Sequence, residues 1–207
     1  MKLREKNTEL IIAAIFTVIL IITAIYDVFF RDGEKLFRIG LTFITVIIVY
    51  LLFIKSFLKG AKIIYYINMS FVLLSMYLAS VWNFYSITNY DKFLHLLSGA
   101  IIAIIGYVLY IYLTNEASRK EINPLTPAIF VILFATAAAG AWEIWEFTTD
   151  SLFGLTAQNN SLNDTMWDII CGTIVGIITA IPIYINSKSN NIKIINRIIN
   201  EIEDNKY

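Results

Sequence analysis

Six runs of apolar residues, at about 10–26, 39–54, 63–85, 93–113, 125–146 and 168–186, dominate this chain of 207 residues. Each approaches the roughly 20 apolar residues that a helix needs to cross the hydrocarbon core of a bilayer. A chain with six such runs has few ways to fold. In lipid every backbone N–H and C=O must be satisfied within the protein, which leaves helices as the spanning element. The expected fold is therefore all-α, a polytopic bundle of about six transmembrane helices forming one domain over 1–186, with a short tail over 187–207. Composition agrees: 58% of residues are hydrophobic and only 15% charged, against about 25% charged in a soluble domain.

The connections "RDGEKLFR", "KSFLKGAK", "SITNYDK", "TNEASRKEINP" and "SLFGLTAQNNSLND" are short and polar, and no soluble domain is hidden between them. The first residues, "MKLREKNTEL", resemble the charged start of a signal peptide. The apolar stretch behind them lacks a small-residue cleavage site and is expected to stay as the first helix. In the tail, Ile192, Ile195, Ile199 and Ile202 recur at helical spacing between Lys193, Arg197 and Glu201. That pattern predicts an amphipathic helix on the membrane surface.

Net charge is zero, so no basic nucleic-acid surface is implied, and the single Cys171 excludes an internal disulfide or a cysteine metal site. Lys and Arg are distributed unevenly. With six spans, twelve of the sixteen lie at the ends shared with the termini, and only Arg31, Lys35, Arg38 and Lys92 lie opposite. The positive-inside rule then predicts that both termini are cytoplasmic.

In that orientation three acidic motifs meet at the outer face: "DKFLHLLSG" entering the fourth span, "EIWEFTTD" leaving the fifth and "NDTMWDIICG" entering the sixth. Asp91 and His95 are four apart and share a helical face. Glu143, Glu146 and Asp150 do the same, as do Asp164 and Asp168, with Gly172 and Gly176 continuing the stripe. Such small residues permit close helix approach, and the fourth helix near Ser98 and Gly99 is the expected neighbour. Glu143 lies roughly 10 Å deeper along its helix than Asp150. Ionisable groups at that depth are expected to face the bundle interior.

Two carboxylates held close cannot both stay ionised without a positive charge between them. Lys92 is the only basic residue near these motifs in sequence. A divalent ion would resolve the charge, and an oxygen-rich set with one imidazole suits Mg, Mn, Zn or Fe. Simpler roles exist for single members: His95 as a hydrogen-bonded core histidine, Asp164 as a helix N-cap, and the four tryptophans as an interfacial belt. The coincidence of Glu143, Glu146, His95 and Asp168 at one depth on three helices points to a functional polar site with Glu143 shielded.

With these motifs, in this order over roughly 90–176, the chain resembles the YjdF-like family of bacterial and archaeal multi-spanning membrane proteins. More remotely it is similar to the VanZ-like group associated with glycopeptide resistance. That group shares the Asp-Lys-x-x-His helix start, a later Glu and an Asp-rich entry to the last helix. The resemblance implies a prokaryotic plasma-membrane protein with a site at Asp91, His95, Glu143, Glu146, Asp164 and Asp168. It brings no reaction, and "EIWE" offers a second acid where the VanZ-like pattern has Arg or Gln.

Three functions fit these residues. The first is a hydrolase or transferase acting on a lipid-linked substrate, in which a divalent metal (Mg, Mn or Zn) held by the six site residues activates water. Glu143, Glu146, His95 and Asp168 would then be catalytic. The second is a non-catalytic protein that binds a lipid headgroup or a cell-envelope component. The third is a cation or proton transporter, against which stands the near absence of ionisable residues in the inner halves of the helices.

Overall fold

The computed structural model describes residues 8–154, 158 and 161–206. These residues form helices and short connections, with no strand among them. Six helices are long and apolar enough to cross a membrane. The fold is therefore an all-α polytopic membrane protein. The chain divides into two compact units, 1–94 and 95–207.

The first unit contains α1 (Thr8–Phe30), α2 (Leu36–Lys55) and α3 (Lys62–Val72), the last running on as a π-helical segment, Leu73–Val81. Its core is built from Phe16, Leu20, Val46, Phe53, Ile64 and Tyr65. The Tyr65 hydroxyl, which burial leaves without water, donates to the backbone oxygen of Glu9 at 2.7 Å. The opposite faces stay apolar and bare: Phe29 is 76% exposed, and Ile15, Ile22, Ile44 and Ile48 are exposed as well. In water such a surface would be untenable, and in lipid it is what a spanning helix presents.

The fourth helix, α4 (Tyr90–Leu113), begins in the first unit and supplies the second from His95 onward. The second unit adds α5 (Glu116–Glu121), α6 (Leu125–Phe153), α7 (Leu162–Ser189) and α8 (Lys193–Glu203). Helices α6 and α7 pack along their lengths through small residues. A β-carbon on Gly172 would stand 2.9 Å from the Ala139 Cβ, and one on Gly176 2.8 Å from the Ala135 Cβ. The glycine stripe thus faces α6, where α4 was expected. Its contact with α4 is confined to Gly172, whose Cα would lie 3.3 Å from a β-carbon on Gly99. The Thr136 and Thr173 hydroxyls bond across the α6–α7 seam at 3.1 Å.

Several helix ends fall beyond the apolar runs. Helix α6 continues seven residues past Glu146 to Phe153, stopped by Gly154 in the left-handed conformation (φ 65°). Helix α7 starts at Leu162, six residues before Asp168. Its N-cap is Ser161, whose Oγ accepts the Asp164 N–H at 3.3 Å. Asp164 therefore sits inside the first turn, in the place of the acid in a capping box, and not at the cap where the sequence suggested it.

The tail forms α8 as its periodicity predicts, but its apolar side is not left for lipid. Ile195, Ile198 and Ile202 are buried within the protein, while Ile194 faces outward. Polar contacts anchor the helix. Arg119 of α5 pairs with Glu203, Lys206 donates to the Thr114 carbonyl at 2.6 Å, and the Asn186 amide donates to Asn196 Oδ1 at 2.7 Å.

Candidate functional site

The run "ATAAAGAWEIWE" gives α6 a narrow waist followed by its acids. Below the acids, Ala135 and Ala139 admit the α7 backbone. Once the helices are that close, the next turn of α6 has no room to turn its inward residue toward solvent, and Glu143 is left only 4% exposed. Among the described residues its Oε1 has no hydrogen-bond partner. Its other oxygen is held by Gln158, whose side-chain amide reaches Glu143 Oε2 at 3.3 Å, the Glu143 backbone oxygen at 3.2 Å and the Thr165 hydroxyl of α7 at 3.1 Å. The Gln158 backbone N–H donates to Asp150 Oδ2 at 3.0 Å. One loop residue therefore ties Glu143 and Asp150 of α6 to the first turns of α7.

These contacts frame a cleft of about 760 Å³ between the C-terminal turns of α6 and the N-terminal turns of α7. Glu143, Asp150, Gln158 and Thr165 are on its polar side; Ile144, Phe147, Leu162 and Ile169 supply apolar wall. Among the described residues the lining contains two carboxylates and no Lys or Arg.

Beside the cleft stands a second group. His95 Nδ1 lies 3.8 Å from Asp168 Oδ1, with both side chains partly exposed. Glu146 Oε1 accepts the Trp142 indole N–H at 2.9 Å, and Glu146 is within electrostatic range of Glu143, His95 and Asp168. The four residues picked out by depth and spacing therefore gather in the second unit. Of the four, Glu143 is among the residues that line the cleft. Among the described residues, no three His, Cys, Asp or Glu side chains are arranged to hold a metal ion. Asp91 lies in the first unit, exposed, one helical turn before His95. Asp164 lies half-buried in the first turn of α7.

Trp142, Trp145 and Trp167 are all exposed, as an interfacial belt requires. Gln158 and Thr165 were not apparent as site residues in the sequence. A glutamine in a polar loop has no periodicity to mark it, and its role depends on where the loop closes.

A helical bundle with bare apolar faces and an acidic cleft at its helix ends defines a multi-spanning membrane protein. The chain belongs to the family described as "Predicted membrane protein (DUF2238)", whose model matches residues 8–189. This is the YjdF family to which the motifs bear resemblance. No curated protein and no solved structure matches the chain.

Proposed function

We propose that the cleft between α6 and α7 binds the positively charged headgroup of a lipid or lipid-linked envelope component, without a chemical step. The observation that carries this reading is the Glu143 carboxylate, 4% exposed, with no partner for Oε1 and no cation in the cleft lining among the described residues. A buried ionised carboxylate is costly unless it is paired. An ammonium group has donors to spare for Glu143 Oε1 and for Asp150. The apolar walls at Phe147, Leu162 and Ile169 give the remainder of an amphiphile a surface to lie on. The charge distribution supports an outward-facing cleft with both termini in the cytoplasm, and the resemblance of the motifs supports a prokaryotic plasma membrane.

Native mass spectrometry of the protein released from mixed nanodiscs tests this. Phosphatidylethanolamine should be retained over phosphatidylglycerol, and Glu143→Gln should remove the preference. Equal retention of the two lipids by the parent protein would reject a cation-selective cleft.

The His95–Asp168 approach, with Glu146 close by, favours one further reading. A divalent ion (Mg, Mn or Zn) held there would make the group a metal-assisted hydrolase or transferase, with Glu143 or Glu146 as general base. That reading requires side chains to draw together around the ion. It predicts a stoichiometric divalent metal in the purified protein, lost in His95→Ala and in Asp168→Asn.

A further inference from the structure

The turn between α1 and α2 in the first unit, "RDGEKLFR", carries three cations and two acids. Its backbone is firmly held. The Asp27 carbonyl, near the end of α1, accepts the N–H groups of Arg31 and Gly33 at 2.8 and 3.1 Å. Asp32 and Gly33, both left-handed (φ 52° and 79°), then reverse the chain. The buried Asp27 carboxylate accepts the Lys35 N–H at 2.8 Å on the far side of the reversal. Arg31 is thereby kept on the last spiral of α1, directly after Phe30.

From that position its side chain packs on aromatic rings. The Arg31 guanidinium lies 4.4 Å from the centre of the Trp82 ring and 5.4 Å from that of Tyr26. Tyr26 in turn stacks on Phe30, ring centres 4.9 Å apart, and tilts against Trp82 at 6.1 Å. Ring contact engages the face of a guanidinium and none of its in-plane N–H groups. Among the described residues the five N–H groups of Arg31 find no acceptor. Glu34 comes within electrostatic range of Arg31, but it holds the Lys35 ammonium at 2.5 Å. Arg38 differs, since it donates to the Ser80 carbonyl at 2.8 Å.

The surroundings indicate what those donors meet. Phe29, Phe30 and Phe37 flank the turn and are at least 74% exposed. Rings so bare belong among acyl chains, while the charged turn between them belongs in water. Arg31 is therefore at the level where hydrocarbon gives way to headgroups. The anion found there is the lipid phosphate, which the planar fork of an arginine matches with two parallel hydrogen bonds.

We propose that Arg31, seated on Trp82 and Tyr26, is the phosphate-binding residue of a phospholipid site in the first unit. Two of its N–H groups donate to oxygens of the phosphodiester, and the acyl chains lie along Phe30 and Phe37. The rings fix the plane of the guanidinium beforehand, so little side-chain freedom is lost on binding. Phosphatidylethanolamine and phosphatidylglycerol share this phosphodiester, so the site is indifferent to the distinction drawn at the cleft.

Magic-angle-spinning NMR reads this directly, on the full chain carrying 15N-arginine in bilayers of those two lipids and in phosphate-free buffer. Lipid 31P should dephase a guanidinium 15N signal that is lost in Arg31→Lys and kept in Arg38→Lys. Dephasing of parental size in Arg31→Lys, or none in the parent, would overturn the assignment. Should Arg31→Lys fail to assemble, the parent protein carrying 13C-tryptophan as well decides. The dephased guanidinium should then also be in contact with a tryptophan ring, and dephasing confined to guanidinium groups without that contact would overturn the proposal. In phosphorus-free detergent with inorganic phosphate added, the signal should stay undephased. Dephasing there would make free phosphate the ligand and overturn the lipid site.

Discussion

A β-carbon on Gly99 would stand 3.3 Å from the Cα of Gly172, so α4 and α7 meet there backbone to backbone. On its other side Gly172 is hemmed by Ala139, which a β-carbon would approach to 2.9 Å. Three helices therefore converge on a position with room for a hydrogen and little more. Gly172→Leu should destabilise the fold by about 1–3 kcal/mol, as overpacking does. Thermal melting in detergent checks this, and a parental melting temperature would mean that the position faces lipid.

Glu143→Gln is isosteric and keeps an oxygen able to accept from Gln158, while it removes the buried charge. The variant should melt at or above the parental temperature and lose tenfold or more in affinity for an ammonium-bearing amphiphile. Loss of folding together with binding would mark Glu143 as structural. Fluorescence of Trp142 and Trp145, both exposed near the cleft, offers a binding signal in the same sample.

Orientation can be read chemically. Asn163, exposed in the first turn of α7, should react as Asn163→Cys with a membrane-impermeant maleimide in intact cells, in a background where Cys171 is replaced by serine. Labelling only after the membrane is opened would invert the topology drawn from the twelve-to-four distribution of Lys and Arg.

Arg119 donates to the Ile111 and Thr114 carbonyls at the end of α4 and also pairs with Glu203 of α8. Hydrogen bonds to charged groups contribute about 1.5–3 kcal/mol. Arg119→Ala should therefore loosen α8 and make its peptide bonds sensitive to limited proteolysis, while the spans stay intact. Unchanged protection would place the hold on α8 in Ile195, Ile198 and Ile202 alone.

The six spans were legible because lipid imposes one requirement on every spanning segment, and apolar length records it residue by residue. Their ends were not. Polar residues such as Thr148, Thr149 and Asp150 end an apolar run but not a helix, so α6 continues to Phe153. Asp164 looked like a cap because aspartate caps well, yet Ser161, three residues earlier, takes the role. The gathering of His95, Glu146 and Asp168 could be anticipated from spacing and depth. The Gln158 bridge could not, because it depends on how a loop closes over two helices. Asp27 escaped notice for a related reason. With the first span ending at Tyr26, the acid reads as the first residue of a polar loop, whereas α1 carries on to Phe30 and draws it inside.

The length of α6 has a mechanical consequence. Its 29 residues measure about 43 Å at 1.5 Å per residue, against roughly 30 Å of hydrocarbon. Helix α7, with 28 residues, is nearly as long. Either the pair tilts or its cleft-bearing end stands clear of the acyl chains as a rigid two-helix post. In the second case the cleft is fixed to that post. Its height above the lipid therefore changes with bilayer thickness, and the same protein would offer its acids to different layers of the headgroup region in thin and thick membranes.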